Sequence, residues 1–533
     1  MSVLKWFWII SVVVFASIGL IASFWQPVLW SLIVFVPVFL TGVYDSCQKT
    51  HGVRRNFPVI GNLRYLFESI RPEIQQYFVE SDTSGRPFSR EVRSVVYQRS
   101  KGVVDTRPFG TIQDLYLDGT EWIAHSLAPI EPPKEEPRIL IGEGRCSKPY
   151  ASSILNISAM SFGSLSKSAI LALNGGAKLG GFSHNTGEGG VSAYHLQFGG
   201  DLVWQIGTGY FGCRTPDGRF DEDNFKTTAE LESVRMIEIK LSQGAKPGHG
   251  GILPSGKITP EIAEIRGVPM GKDCISPPSH SAFGSPKELL QFVTHLREVS
   301  GGKPVGLKIC IGRVDQIMGL CKAMLETGQI PDFITVDGSE GGTGAAPLEF
   351  SNSIGMPLSE GLLLVHNCLI GCGLREKIKI IAGGRIATGF NVIQRIAIAA
   401  DLCNAARSMM FSLGCIQALK CNTNHCPVGV ATQNPDLVRG LDVTDKRTRV
   451  RNYHHNTVHS ALEIMAACGL SHPDQLKPGH IFRRISSTVV RTYGDVYDYS
   501  ERGDLIGENI RPRTGAHAEM FDHYWSNASG DHF

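Results

Sequence analysis

Between Ile154 and Ala405 short apolar runs alternate with helical stretches, and few architectures tolerate that rhythm. The runs are Ile154–Ala159, Phe182–Asn185, Leu202–Ile206, Met236–Leu241, Pro304–Ile309, Asp332–Val336, Ile378–Ala382 and Leu402–Ala405. Helical spacing shows between them at Ser166–Leu179, Pro286–Val299, Val314–Glu326 and Gly389–Ala399. Short strands separated by crossover helices make a parallel sheet in an α/β domain. Eight such units favour a closed (β/α)8 TIM barrel, with a doubly wound sheet as the alternative. In a barrel of this kind the chemistry sits where the strands end.

Those ends carry the unusual residues. In order they are Met160-Ser161-Phe162-Gly163, Asn185 through Gly190, Gln205 before Gly207-Thr208-Gly209, and Lys240 before Gln243–Gly248. Then come Lys308, Asp337-Gly338 with Glu340-Gly341-Gly342-Thr343-Gly344, Gly383-Gly384, and Ala406-Arg407. The chain has 59 glycines, and they gather in short runs without a fixed period. That suits backbone drawn close to a ligand. Amides after the seventh and eighth strands commonly cradle a phosphate. An isoalloxazine ring fits such a rim, with Lys308 as the cation beside its N1–C2=O edge. The competing reading pairs Lys308 with a rim carboxylate. The connection from Leu241 to about Ser285 is long for a βα loop, and loops of that length are functional or disordered. Within it Lys246 and Arg266 are candidates to clamp carboxylates, Arg266 through its planar fork. Surface charges on an insertion are the plain alternative.

Cys415, Cys421 and Cys426 stand in a C-x5-C-x4-C spacing closed by Pro427. Thiolates so close in sequence suit an iron–sulfur cluster, one ligand for each iron of a three-iron centre. Buried free thiols are one alternative. A zinc site completed by His425 is another, although the usual paired C-x2-4-C signature is missing. A flavin takes two electrons together and passes them on singly, so flavin and cluster make an economical pair. Cys415 lies nine positions beyond Ala406, which keeps the two near each other.

Outside the core, Trp6–Trp25 is an uncharged run of 20 residues, and Val28–Tyr44 adds 17 more after Gln26-Pro27. Each approaches the length of a membrane-spanning helix. A tight reversal at Gln-Pro makes them a transmembrane hairpin; a signal peptide is the rival for the first. Lys5 precedes the hairpin and Lys49, His51, Arg54 and Arg55 follow it, which puts both ends, and the catalytic domain, on the cytoplasmic side of an inner membrane. The 13 scattered cysteines agree with a reducing compartment, and a net charge of +2 gives no reason to expect nucleic acid. The expected organisation is an anchor over 1–46, a mixed linker and packing layer over 47–148, the barrel over 149–435, and a C-terminal helix and extended tail over 436–533. In the linker, Leu63–Val79 has helical spacing with a break expected at Pro72, Ser89–Tyr97 begins a polar helix or irregular segment, and Pro129–Pro137 is an extended join. Tyr453–Cys468 reads as an amphipathic helix, Pro478–Ser486 as a turn with a basic segment, Thr492 onward as extended, and Ala516–Phe533 as frayed.

Taken in order, Met160–Ser164, Asn185–Gly190, Gln243–Gly248, Ile275–Pro278, Gly341–Ala345 and the cysteine stretch resemble the FMN-binding synthase domain of glutamate synthases. The likeness runs from about Pro149 to Pro435, and the flanks resemble shorter bacterial glutamate-synthase-like proteins. It implies a (β/α)8 barrel with FMN and a [3Fe-4S] cluster on Cys415, Cys421 and Cys426. It also implies that Gln243, Lys246 and Arg266 hold 2-oxoglutarate. Met160, Ser161, Gln205, Lys240, Lys308, Gly341, Gly342, Gly383, Gly384, Ala406 and Arg407 would line the flavin and its phosphate. The implied reaction is reductive amination: ammonia and 2-oxoglutarate give 2-iminoglutarate, and reduced FMN delivers hydride to its α-carbon. Electrons would come from ferredoxin or another donor. No glutaminase half with its amino-terminal cysteine is seen, so ammonia would come free or from a partner glutaminase subunit acting on glutamine. His249 stands where the family pattern is acidic, and Arg407 where a phosphate loop is apolar.

Overall fold

The computed structural model describes residues 2–506 and 518–533. The chain forms two compact units, Met1–Arg90 and Glu91–Phe533.

In the first unit a helix over Val3–Ala22 starts on Ser2, whose hydroxyl accepts from the Lys5 amide at 3.4 Å. A 3-10 turn over Gln26–Ser31, with Pro27 in its first positions, leads into a second helix over Leu32–Cys47. The two lie side by side: the Phe39 ring is 6.1 Å from Phe7 and 5.2 Å from Phe15. The stretches Val3–Ala22 and Gln26–Cys47 are long and apolar enough to cross a membrane. Their large side chains, among them Leu20, Trp30 and Ile33, point outward, an arrangement costly in water. At the end of the second helix buried Asp45 accepts from the Val59 amide at 3.0 Å and from Asn62 at 2.5 Å. Where the spacing predicts a break at Pro72, the helix Gly61–Ile74 instead runs through it into a π turn over Gln75–Val79. The proline deprives only the Glu68 carbonyl of its donor, and Glu68 is exposed, so water replaces the lost bond.

In the second unit eight parallel strands close into a barrel in chain order. They are β1 Leu155–Ile157, β2 His184–Asn185, β3 Leu202–Ile206, β4 Val234–Lys240, β5 Val305–Ile309, β6 Phe333–Asp337, β7 Lys379–Gly383 and β8 Leu402–Ala405. β8 pairs with β1, Asn404 opposite Asn156, and completes the ring. Every strand falls inside or within two residues of an apolar run expected to form one.

Period-two alternation explains how the barrel fills. Outward residues such as Ile237 and Ile239 are fully buried under the helices, each worth about 1.5–3 kcal/mol. Inward residues form layers. Lowest is an apolar layer of Val203, Met236, Phe333, Ile381 and Leu402, floored by Ile141 and Tyr150 from an antiparallel pair, Ile139–Ile141 with Tyr150–Ser152. Two residues further along the strands come Gln205, Glu238 and Thr335, and two further still Lys240 and Asp337. The lumen thus turns from apolar to charged toward the mouth.

Helices over Lys167–Gly180, Glu222–Ala229, Pro286–Val299, Val314–Thr327, Leu358–Gly371, Gly389–Ile398 and Arg407–Ser412 wrap the strands. The helix Val443–Ala467 packs along Lys167–Gly180, where Gly176 leaves room for Val450. It begins ten residues before the apolar stripe from Tyr453 would place it. Asp442 caps it, accepting from the Asp445 amide at 2.7 Å, and its first turns are too polar to show periodicity. The helix Arg90–Lys101 is tied to it through Arg99 and Ser460 at 3.0 Å. Strand Ile481–Arg484 pairs with Glu121–Ile123 and with Val490–Thr492, and Tyr493–Val496 is a short helix, not extended chain. The expected tail over residues 507–517 lies outside the described residues. Beyond it the chain is helical over Ala518–Asn527, not frayed, and its end is fastened. Lys322 donates to the Ala528 carbonyl at 2.8 Å, and Lys287 pairs with Asp531 at 2.8 Å.

Candidate active site at the barrel mouth

The loops that follow the strands converge over the lumen, and glycine makes the approach possible. Gly187 sits at φ +65°, with the Ser161 amide 2.7 Å from where a Cβ would stand, so the β1 and β2 loops touch backbone to backbone. Gly244 is pressed on the Gly338 carbonyl in the same way, locking the β4 loop onto the β6 loop.

Glu188, on the β2 loop, is the centre of the charge cluster. Lys240 pairs with it at 3.0 Å. Burial pushes its carboxyl upward, but Lys240, Arg266 and Lys246 outweigh that and hold it below the usual carboxylate range. Lys246 is 2% exposed, and burial together with the charge of Lys240 lowers its ammonium to about 8. Arg266, 5% exposed, donates to the Ser161 hydroxyl at 3.3 Å and to the Phe162 carbonyl at 3.1 Å, and lies 5.1 Å over the Phe211 ring. Among the described residues its buried Nε has no hydrogen-bond partner. A narrow cleft opens beside the cluster, lined by Glu188, Thr208, Lys240, Ser242, His249 and Pro278 among others.

The long β4–β5 connection that carries Lys246 and Arg266 is an ordered insertion. It contains a two-strand pair, Ile252–Leu253 with Cys274–Ile275, and a helix over Pro260–Arg266. Thr259 caps that helix, Pro260 fixes its first residue, and Gly267 at φ +62° ends it, leaving Arg266 in the last turn facing inward.

Deeper in the lumen, Gln205 donates to Glu238 at 2.7 Å, as do Asn185 at 2.8 Å and Thr335 at 2.6 Å. Lys308 lies 3.4 Å from Asp337. Burial disfavours its charge, yet Asp337 and Glu238 more than compensate and raise its pKa. Lys308 therefore is paired with a rim carboxylate, the competing reading of that residue, while still facing the lumen. Met160 is buried on the β1 loop. Gly341 and Gly383 flank Asp337, and Gly342 rests against the Arg407 side chain. Gly384 has φ +152°. Arg407, just after Ala406, donates to the Glu340 carbonyl at 2.7 Å, while burial and Arg385 lower its pKa. Gln243 stands half-buried at the start of the β4 loop.

The cysteine loop lies against two of these loops. Lys257, buried in the insertion, donates to the Ser164 carbonyl at 2.8 Å and to the Cys421 carbonyl at 3.1 Å. Gln433 donates to the Gly163 and Leu165 carbonyls, and Tyr97 to the Cys415 carbonyl at 2.6 Å. Burial raises the Cys415 thiol to about 12, and Cys421 and Cys426 add to the effect. Among the described residues no three His, Cys, Asp or Glu side chains converge on one point as a single metal ion requires.

Three carboxylates at the centre of this arrangement, Glu188, Glu238 and Asp337, were not singled out as site residues from the sequence. The signal was present for Glu238. In Met236-Ile-Glu-Ile-Lys240 the alternation that buries both isoleucines outward sends Met, Glu and Lys into the lumen.

Residues 120–471 match the model of a conserved region in glutamate synthase. The chain is 37% identical over 503 residues to the glutamate synthase large subunit-like protein YerD of Bacillus subtilis, covering 86% of this chain and 95% of that protein. It is 35% identical over 322 residues to an archaeal glutamate synthase [NADPH] of Methanocaldococcus jannaschii and 33% over 320 to an archaeal-type glutamate synthase [NADPH] of Thermotoga maritima. Each of these two matches covers 60% of either chain, so this chain spans less than two thirds of those relatives. Among solved structures, mandelate oxidase with (S)-4-hydroxymandelic acid is similar at a TM-score of 0.43 and 14% identity, over 81% of this chain and 98% of that one. With residues 120–471 matching the family region and a relative aligned over 95% of its length, the chain belongs to the glutamate synthase family, a family of oxidoreductases.

Proposed function

We propose that the barrel makes glutamate by reductive amination of 2-oxoglutarate, using FMN at its mouth and a [3Fe-4S] cluster on Cys415, Cys421 and Cys426. The observation that carries this reading is the charge balance of the buried cluster. Lys240, Lys246 and Arg266 all act on the carboxylate of Glu188, and with Lys308 they outnumber Glu188, Glu238 and Asp337, which leaves net positive charge for an anionic substrate. Lys246 and Arg266 would grip the substrate, with Gln243 beside them, and their part is to position it. Arg266 Nε, without a hydrogen-bond partner among the described residues, would be a donor for a carboxylate oxygen.

The residues present fit a flavin. Gln205 and Lys308 would meet its polar edge, Met160 and Ser161 its flank, Gly341 and Gly342 its ring or ribityl chain, and Gly383, Gly384, Ala406 and Arg407 its phosphate end. Bound FMN would supply hydride. The thiols suit a cluster in donor type, and a three-iron centre asks for a ring of sulfurs, each on its own iron, instead of convergence on one point. Ammonia would arrive free or from a glutaminase subunit, and electrons from ferredoxin or a membrane donor. The two apolar helices would tether the enzyme to the inner membrane with this unit in the cytoplasm.

His249 on the cleft wall favours a second reading, in which the same cofactors serve another keto or amino acid, N-substituted glutamates included. One experiment separates the two. Protein reduced anaerobically is mixed with 2-oxoglutarate and ammonium, and flavin reoxidation is followed by absorbance. Reoxidation by this pair supports glutamate synthesis; reoxidation only by another keto acid supports the second reading. A purified protein without flavin absorbance or a cluster EPR signal would refute both.

A further inference from the structure

The most fully satisfied charge in the lumen belongs to Glu238, 1% exposed. Its Oε1 accepts from Gln205 Nε2 at 2.7 Å and from Asn185 Nδ2 at 2.8 Å, and its Oε2 accepts from the Thr335 hydroxyl at 2.6 Å. Asn185 is held a second time, since its Oδ1 accepts from the Gly187 amide at 3.0 Å. Gln205, 2% exposed, is held only through its amino group. Among the described residues no protein donor reaches its Oε1.

An amide can face either way, and here the neighbour decides. A carboxylate only accepts, so it draws the NH2 of Gln205 and leaves the carbonyl for whatever occupies the lumen above. A flavin presents a matching group, because the imide N3–H of its pyrimidine ring is a donor. We propose that Glu238 is a positioning residue, one that fixes Gln205 so that its side-chain carbonyl, not its amino group, is offered to the imide N–H of a bound isoalloxazine ring. The inference rests on the flavin reading above and adds to it a residue that does not touch the ligand. It also gives a reason for placing a carboxylate in a barrel core, where apolar residues of similar volume would pack at less cost.

The test is a double-mutant cycle read as the rate of FMN release from the holoenzyme, followed by the fluorescence of freed flavin. Glu238→Gln can accept or donate, so Gln205 is no longer held one way round, and release should quicken by about tenfold, the worth of one hydrogen bond. Gln205→Leu removes the acceptor and should do the same. If one residue acts through the other, the double variant releases FMN about tenfold faster; independent action gives about a hundredfold and overturns the proposal. Thr335→Val breaks the third bond to the same carboxylate without touching Gln205. It should leave release unchanged, and an equal loss there would reduce Glu238 to a packing role and overturn the proposal. The wild-type protein gives a further check that needs no variant to fold. With 15N-labelled FMN, the N3 proton should be shifted downfield and slow to exchange; exchange as fast as in free FMN overturns the proposal. A wild-type protein that carries no flavin refutes the flavin reading itself, whereas a yellow one with an additive cycle refutes only the part given to Glu238.

Discussion

The two ends of this barrel handle buried charge in opposite ways. At the amino-terminal end Asp332, fully buried, accepts from Arg145 at 2.9 Å, from Arg297 at 2.9 Å and from the Val305 amide at 2.9 Å. Both arginines also reach a backbone carbonyl, Lys377 for Arg145 and Ile330 for Arg297, each at 2.7 Å. At the foot of β1 Ser153 donates to Glu136 and lies 2.9 Å from His454 Nε2. At the carboxyl end Lys240, Lys246 and Arg266 all act on the carboxylate of Glu188, and among the described residues Arg266 Nε has no hydrogen-bond partner. The closed network holds the fold together. The open one leaves charge unbalanced at some cost to stability, and would serve the ligand proposed above, a distribution that recurs between the two faces of such barrels.

Asp332→Ala should break the comparison at its strongest point. Two arginines would lose their anion, and unfolding by chemical denaturation should be easier by about 3 kcal/mol or more. The KM for 2-oxoglutarate in surviving protein should be unchanged, and a change there would mean the two ends are coupled. Arg266→Ala should do the reverse. KM should rise by about a hundredfold, as for a charged hydrogen-bonding partner removed from a buried site, while flavin content and melting temperature hold. An unaltered KM would show that the substrate is not the one proposed.

The pH dependence should be milder. Lys246 titrates near 8 in the folded protein, below the ordinary lysine range, so its charge is present below that pH and lost above it. Grip on a dianion therefore weakens as pH rises, and KM should climb by about tenfold between pH 7 and 9. Lys246→Arg should flatten that climb, since an arginine stays charged throughout. The smallest effect is expected from Lys287→Ala at the fastened tail, whose partners Glu326 and Asp531 are solvent-exposed. Neither KM nor melting temperature should move measurably.

Much of the fold was legible because barrel strands are buried on both faces. Ile237 and Ile239 look outward into helices and Met236 inward, so Met236–Leu241 stands out as an apolar run. The crossover helices Glu222–Ala229 and Leu358–Gly371 went unread: the first is short and polar, and the second is buried nearly all round, which blurs a stripe. At the mouth, Lys240, Lys246, Arg266 and Lys308 were legible as isolated basic residues at strand ends or in a long loop. Of their counter-charges, Glu188 and Asp337 stand at strand ends in the sequence and Glu238 does not, but which cation each one meets is not legible there. Glu188 lies among glycines, Glu238 inside a strand and Asp337 at a strand end, and only closure of the barrel brings them together. The helix through Pro72 and the tail helix differ from expectation for the same kind of reason. Local signals favoured a break or fraying, and solvent in one case and docking in the other decided otherwise.

One insertion carries both Lys257, which reaches the cysteine loop, and Arg266, which reaches the β1 loop. These contacts therefore travel together when the segment is exchanged between relatives. A chimera taking the whole of residues 241–285 would import a donor's carboxylate grip and its thiol surroundings as one inheritance. A splice point just before Pro260 would divide them, putting one ancestor's lysine beside another's arginine.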